Sequence, residues 1–144
     1  MSSVSYEAWM QAQQSVLGSV LIDDRCASFL VFGLAEEDFC ESYRSLYRAI
    51  RELYTTGKPV DPVAVLNVVG DSYKDFIVQL MNITPTAANC KMYVDIVKQQ
   101  SRVLKLRDTG LALSRISTEE EGAELLANAA SETVRDDGDV WSLA

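Results

Sequence analysis

The stretch CKMYVDIVKQQSRVLKLRDTGLALSRISTEEEGAELLANAASETV, residues 90–134, decides the fold. Its first part, from Cys90 to about Ile116, reads as one long helix with Tyr93, Ile96, Val97, Val103, Leu104, Leu111 and Leu113 as apolar positions. A break follows, where Ser117-x-x-Glu120 and Thr118-x-x-Glu121 both match a capping box that opens a second helix. That helix runs to about Val134, with Leu125, Leu126, Ala129, Ala130 and Val134 on one face. Charge divides at the same break. Between Lys91 and Arg115, six basic residues (Lys91, Lys98, Arg102, Lys105, Arg107, Arg115) face only Asp95 and Asp108, a net +4. From Ile116 to Ala144, Arg135 alone stands against eight carboxylates, a net −7. A basic arm joined to an acidic arm by a short turn describes an antiparallel helical hairpin with complementary flanks. Two helices alone bury too little apolar area to stand free, so such a hairpin leans on its own globule or on a second copy. Val103, Leu104, Leu111, Leu125, Leu126, Ala129 and Ala130 are its candidates for self-association.

Helical periodicity also governs the chain ahead of the hairpin. Trp9, Ala12, Val16, Leu17, Val20 and Leu21 recur at three- and four-residue steps and predict a helix over residues 6–22, with Gln11, Gln13, Gln14 and Ser19 on the opposite side. Gly18 lies inside it, where glycine costs about 1 kcal/mol relative to alanine and signals a close approach by another element. A short apolar stretch, Cys26 to Phe32, ends at Gly33. After the acidic turn Glu36-Glu37-Asp38 a second helix is predicted over about 41–54, with Tyr43, Leu46, Tyr47, Ile50, Leu53 and Tyr54 inward. Arg44, Arg48 and Arg51 share another face of it, solvated or paired with Glu41 and Glu52. Gly57 and Pro59 stop that helix, and Asp61-Pro62 opens a short one as cap and first residue. A further helix over 72–81 turns Tyr73, Phe76, Ile77, Leu80 and Met81 inward, and Thr84–Asn89 connects to the hairpin. The expected organisation is all-α: a helical globule at 1–89, a hairpin at 90–135 and a polar, frayed tail at 136–144.

Composition narrows the function. The 144 residues carry 13 Lys+Arg against 21 Asp+Glu, a net charge of −8, which argues against a surface built to neutralise phosphates. The absence of histidine removes Ser/His and Cys/His catalysis and His-coordinated zinc. Cys26, Cys40 and Cys90 form no C-x-x-C pair and read as reduced thiols of a cytoplasmic protein. Gly57-Lys58-Pro59 lacks the remaining elements of a phosphate-binding loop. Glu36–Asp38 and Glu119–Glu121 are explained as helix-start carboxylates rather than as metal or acid–base sites. No apolar run spans a bilayer and residues 1–10 make no secretory signal. No cofactor, metal or catalytic residue is expected, and the chain is read as an interaction module rather than an enzyme.

Five segments in order resemble one family. Gln14–Asp23 (QSVLGSVLID) is similar to the E-x-x-V-L-G-x-L-L-x-D opening of the N-terminal domain of DnaB-type replicative helicases. Glu37-Asp38-Phe39 resembles its P-E-D-F, Tyr43–Ile50 its H-R-x-I-F-x-A-I, and Gly57–Asp61 its G-x-P-V-D. Thr84–Asn89 with Tyr93, Ile96 and Val97 resembles T-P-S-A-A-N-x-x-x-Y-x-x-I-V. The chain departs from the pattern in a shorter segment between Val63 and Tyr73 and in Tyr43, where histidine is common, as in a divergent member from a phage or mobile element. The resemblance implies a small helical globule followed by a hairpin that pairs with itself into dimers and higher-order rings. It also implies docking of a DnaG-type primase or a helicase loader, for which Lys98, Arg102 and Lys105 are the candidates on the hairpin. The nucleotide-binding motor domain of full helicases is absent from these residues. The expected role is non-catalytic assembly and docking in DNA replication, with no strong direct nucleic-acid binding. A free-standing regulator that binds helicase, primase or loader shares the same sequence features.

Overall fold

The computed structural model describes residues 2–84 and 86–143, and the side chains of residues 6–84 and 86–131. Among the described residues the chain is all-α, with seven helices: α1 (Ser2–Ile22), α2 (Ala27–Gly33), α3 (Glu41–Thr55), α4 (Pro62–Val69), α5 (Lys74–Asn82), α6 (Cys90–Leu113) and α7 (Glu119–Leu143). Short 3-10 turns at Asp24–Cys26, Glu36–Asp38 and Asp71–Tyr73 join the smaller ones. The chain divides into two units, Met1–Ser101 and Arg102–Ala144.

In the first unit α1 is the central element, packed on α5 and α2. Residues 16–21 are buried at six consecutive positions, so no side of the helix faces water there. The sequence expectation of a polar face through Gln13 and Ser19 is therefore corrected: both are fully buried. Each keeps a hydrogen bond, as buried polar groups must. Gln13 Oε1 accepts from the Cys40 amide at 2.7 Å, and Ser19 Oγ donates to the Ser15 carbonyl at 2.6 Å. Gly18 is the point of closest approach. A Cβ there would collide with Thr84 Oγ1 and lie 2.7 Å from the Leu80 carbonyl oxygen on α5.

Around α1 the core gathers Leu30, Phe39, Leu46, Tyr47, Ile50, Val65, Leu80 and Val97. Tyr43 stacks on Phe76 with ring centroids 5.3 Å apart, and its hydroxyl accepts from Gln14 Nε2 at 2.8 Å. Tyr47 donates to the Leu34 carbonyl at 2.6 Å while its ring packs 5.2 Å from Phe39. Burial pushes the Tyr47 phenol above its usual range, opposed by the Arg51 guanidinium lying 5.3 Å from the ring centroid. α4 forms despite its β-branched content because Asp61 caps it, accepting from the Ala64 amide at 2.8 Å, with Pro62 in the first turn.

Asp38 ties three segments of this unit together. Its backbone carbonyl accepts from Trp9 Nε1 at 2.8 Å, and its buried carboxylate accepts from the Ala35 amide at 2.8 Å and from Ser101 Oγ at 2.7 Å. Cys90, Val94, Val97 and Ser101 of α6 are buried, so the first half of that helix belongs to the globule. The compact unit accordingly extends to Ser101 and not to residue 89. In the expected connector 84–89, Pro85 lies outside the described residues.

In the second unit, Thr118 Oγ1 accepts from the Glu121 amide at 3.2 Å, while the Glu121 carboxylate accepts from the Ser117 amide at 3.2 Å. Of the two capping boxes written in the sequence, the Thr118 half of the Thr118–Glu121 one forms, with the Glu121 carboxylate reaching one residue further back to the Ser117 amide. A Cβ on Gly122 would lie 2.9 Å from Ile116 Cδ1 and 3.8 Å from Leu113, so the start of α7 presses on the end of α6. The backbone remains helical to Leu143, which corrects the expected frayed tail over 136–143. The side chains of Val134 and Trp141 lie outside the described residues.

Candidate interaction surfaces

The hairpin residues singled out by the sequence divide by exposure. Val103, Leu104, Leu125 and Ala129 are half-buried, whereas Leu111, Leu126 and Ala130 are exposed. On α7 the two groups follow helical geometry. Gly122, Leu125 and Ala129 recur at three and four residues on one side, while Ala123, Leu126 and Ala130 form a parallel row one position on. One row is buried to half-buried and the other faces solvent. Leu111 and Leu126 stand 58% and 57% exposed.

Leu106, 55% exposed, joins them and is absent from the sequence-based set. It lies between Lys105 and Arg107, which hid it inside a basic run. Among the described residues, Leu106, Leu111 and Leu126 are thus the large apolar side chains that the two arms leave more than half exposed at their outer reaches.

Lys98, Arg102 and Lys105 recur at steps of four and three on α6 and are all half-buried. Arg102 and Lys105 each already interact with a neighbouring group. The arginine trio of α3 is engaged differently from the sequence reading. Arg48 and Arg51 pair with Glu36, at 3.4 Å and 3.9 Å, and not with Glu41 or Glu52; Arg44 donates to the Phe39 carbonyl at 3.0 Å. These exposed pairs fasten the Glu36–Asp38 turn to α3 at a worth of about 0–1 kcal/mol each.

On the globule, α2 presents Phe29 and Phe32 to solvent, Phe32 edge-on to Tyr54 at 5.8 Å, and α4 presents Val63. A groove of about 420 Å³ runs along Ser45, Arg48, Ala49, Glu52, Val68, Val69 and Tyr73, but it gathers no nucleophile–base pair. No group of three or more potential metal-ligating residues occurs among the described residues. No helix is long and apolar enough to cross a membrane among them.

A buried central helix, a capped helical globule and two long terminal helices with exposed leucines define an all-α helical domain. The family model for the DnaB-like helicase N-terminal domain matches residues 7–99, and the chain belongs to that family. It is 28% identical over 131 residues to the replicative DNA helicase DnaB of Leifsonia xyli subsp. xyli, covering 84% of this chain and 29% of that protein. It is 27% identical to the replicative DNA helicase DnaC of Bacillus subtilis, over 87% of this chain and 30% of the relative. The crystal structure of the N-terminal domain of DnaB helicase from Mycobacterium tuberculosis superimposes with a TM-score of 0.69 at 28% identity. That match covers 85% of this chain and 94% of the other. The chain thus spans under a third of the length of these curated helicases, and its family match is to their N-terminal domain.

Proposed function

We propose that this domain assembles copies of itself through the arms of its hairpin and offers the resulting surface to a primase or a helicase loader during DNA replication in the cytoplasm. The observation that carries the reading is the exposure of Leu106, Leu111 and Leu126 on the two terminal helices. Lys98, Arg102 and Lys105 are the docking candidates for the primase or loader, as cations on one side of α6. The work of the domain is contact between chains, without a cofactor.

Leu111→Glu with Leu126→Glu tests the assembly. Both side chains are solvent-exposed, so the double variant keeps its helix content. Light scattering over a concentration series then shows the wild-type chain rising to a dimer or larger species, while the variant stays at monomer mass. Wild-type mass in the folded variant refutes pairing through these arms. A strictly monomeric wild type favours the regulator reading instead.

A further inference from the structure

Cys26 closes the 3-10 turn after α1, and Cys90 is the first residue of α6. Both side chains are buried, at 5% and 2% exposure. One carbonyl oxygen holds the pair: Cys26 Sγ donates to Ala87 O over 3.7 Å, and the Cys90 amide donates to the same oxygen over 3.2 Å. The Cys26 thiol and the Cys90 amide thus meet at one oxygen, and both thiols are free. The assembly role makes no use of them.

We propose that Cys26 and Cys90 are a latent redox pair, which hydrogen peroxide converts into an intrachain disulfide joining the α1–α2 corner to the first turn of α6. One thiolate attacks a peroxide oxygen; the O–O bond breaks, a sulfenic acid forms, and the departing hydroxide takes a proton to leave as water. The second thiol sulfur then displaces the sulfenic hydroxyl as water, forming the S–S bond. Two thiols and one peroxide become one disulfide and two waters, with sulfur oxidised and peroxide reduced.

Burial governs how fast this happens. It pushes the Cys90 thiol up to about 12, with the bond to Cys26 and the charge of Asp23 adding to the rise. Burial raises Cys26 too; the bond from Cys90 and the Arg25 charge oppose the rise, while Asp23 and Asp24 reinforce it. The thiolate is the reacting form, so the pair is slow near neutral pH and speeds up as the pH is raised. Once formed, the bridge closes a long loop and pins the start of α6 to the globule, raising the melting temperature by roughly 10 °C.

The test uses the full chain and a Cys40→Ser variant, which leaves both members of the pair untouched. Each is treated with hydrogen peroxide at about pH 7 and about pH 9, then read by thiol titration, non-reducing peptide mapping and thermal melting. The expected result is loss of two thiols, a linked peptide pair containing Cys26 and Cys90, faster reaction at the higher pH, and a raised melting temperature that a reductant reverses. Recovery of Cys26 and Cys90 as separate thiol or sulfinic peptides overturns the proposal. So does a bridge formed only through Cys40. Thiol titration and peptide mapping do not depend on oligomeric state, so the result stands apart from the assembly reading.

Discussion

Replacing Gly18 by alanine tests the packing that builds the globule, because two opposed effects meet at one atom. In an open helix the change stabilises by about 0.5–1 kcal/mol, since alanine loses less backbone entropy than glycine. At Gly18 the added Cβ meets Thr84 Oγ1 and stands 2.7 Å from the Leu80 carbonyl oxygen, where ordinary contact begins at 3.4 Å. The oxygen belongs to α5's own backbone, so relief requires α1 and α5 to part by several tenths of an ångström. Turning Thr84 aside gives up its 2.8 Å bond to Leu80 O, worth about 1 kcal/mol. Overpacking of this kind costs about 1–3 kcal/mol. With the lost bond added and the helix-propensity gain subtracted, Gly18→Ala destabilises by roughly 2 kcal/mol, a fall in melting temperature of roughly 5–10 °C. Gly110→Ala is the control, because nothing lies within 4 Å of its Cβ position on α6. Thermal and urea unfolding followed by circular dichroism compares the two. If Gly18→Ala is as stabilising as Gly110→Ala, the close approach of α1 and α5 is wrong.

Asp38→Ala removes the acceptor for both Ala35 N–H and Ser101 Oγ, and urea unfolding is expected to show a loss of about 2–4 kcal/mol. The Asp23 carboxylate accepts from the Arg25 guanidinium and amide, and these bonds hold it below the ordinary value of 3.8. Its folded-state pKa is depressed, so the pair's contribution is complete above the unfolded value and disappears as pH falls through the folded one. An NMR titration of Asp23 should find the lowered pKa, and Arg25→Ala should return it toward 3.8.

How much the sequence disclosed depended on whether a residue's partner was local. Asp61-Pro62 announced α4, and Thr118 with Glu121 announced α7, because a cap is made within one turn of chain. Gly18 was legible as a close approach, though its neighbours on α5 were not. Gln13 and Ser19 were read as a solvated face because periodicity assumes one wet side, and a helix packed by several others has none. Ser101 as the partner of Asp38 had no local signal at all. The division of the hairpin residues was likewise invisible: Leu125 and Leu126 are adjacent and chemically identical, yet the first is half-buried and the second exposed.

The net charge of −8 gives the assembly reading its sharpest quantitative consequence. Two copies approaching to a centre separation of about 30 Å repel by roughly 9 kcal/mol in salt-free water. With a Debye length of about 30 Å at 0.01 M salt and about 10 Å at 0.1 M, screening reduces that repulsion to roughly 3 and then below about 0.5 kcal/mol. An interface made by exposed leucines has no attractive charge term to lose over the same range. Self-association therefore tightens as salt rises from about 0.01 to about 0.1 M, by roughly tenfold or more, in sedimentation equilibrium. Contacts made chiefly by the +4 arm of one copy on the −7 arm of another give the opposite slope, because salt then screens an attraction. Association that weakens steadily with salt would remove the leucines from the centre of the interface and place the arm charges there instead.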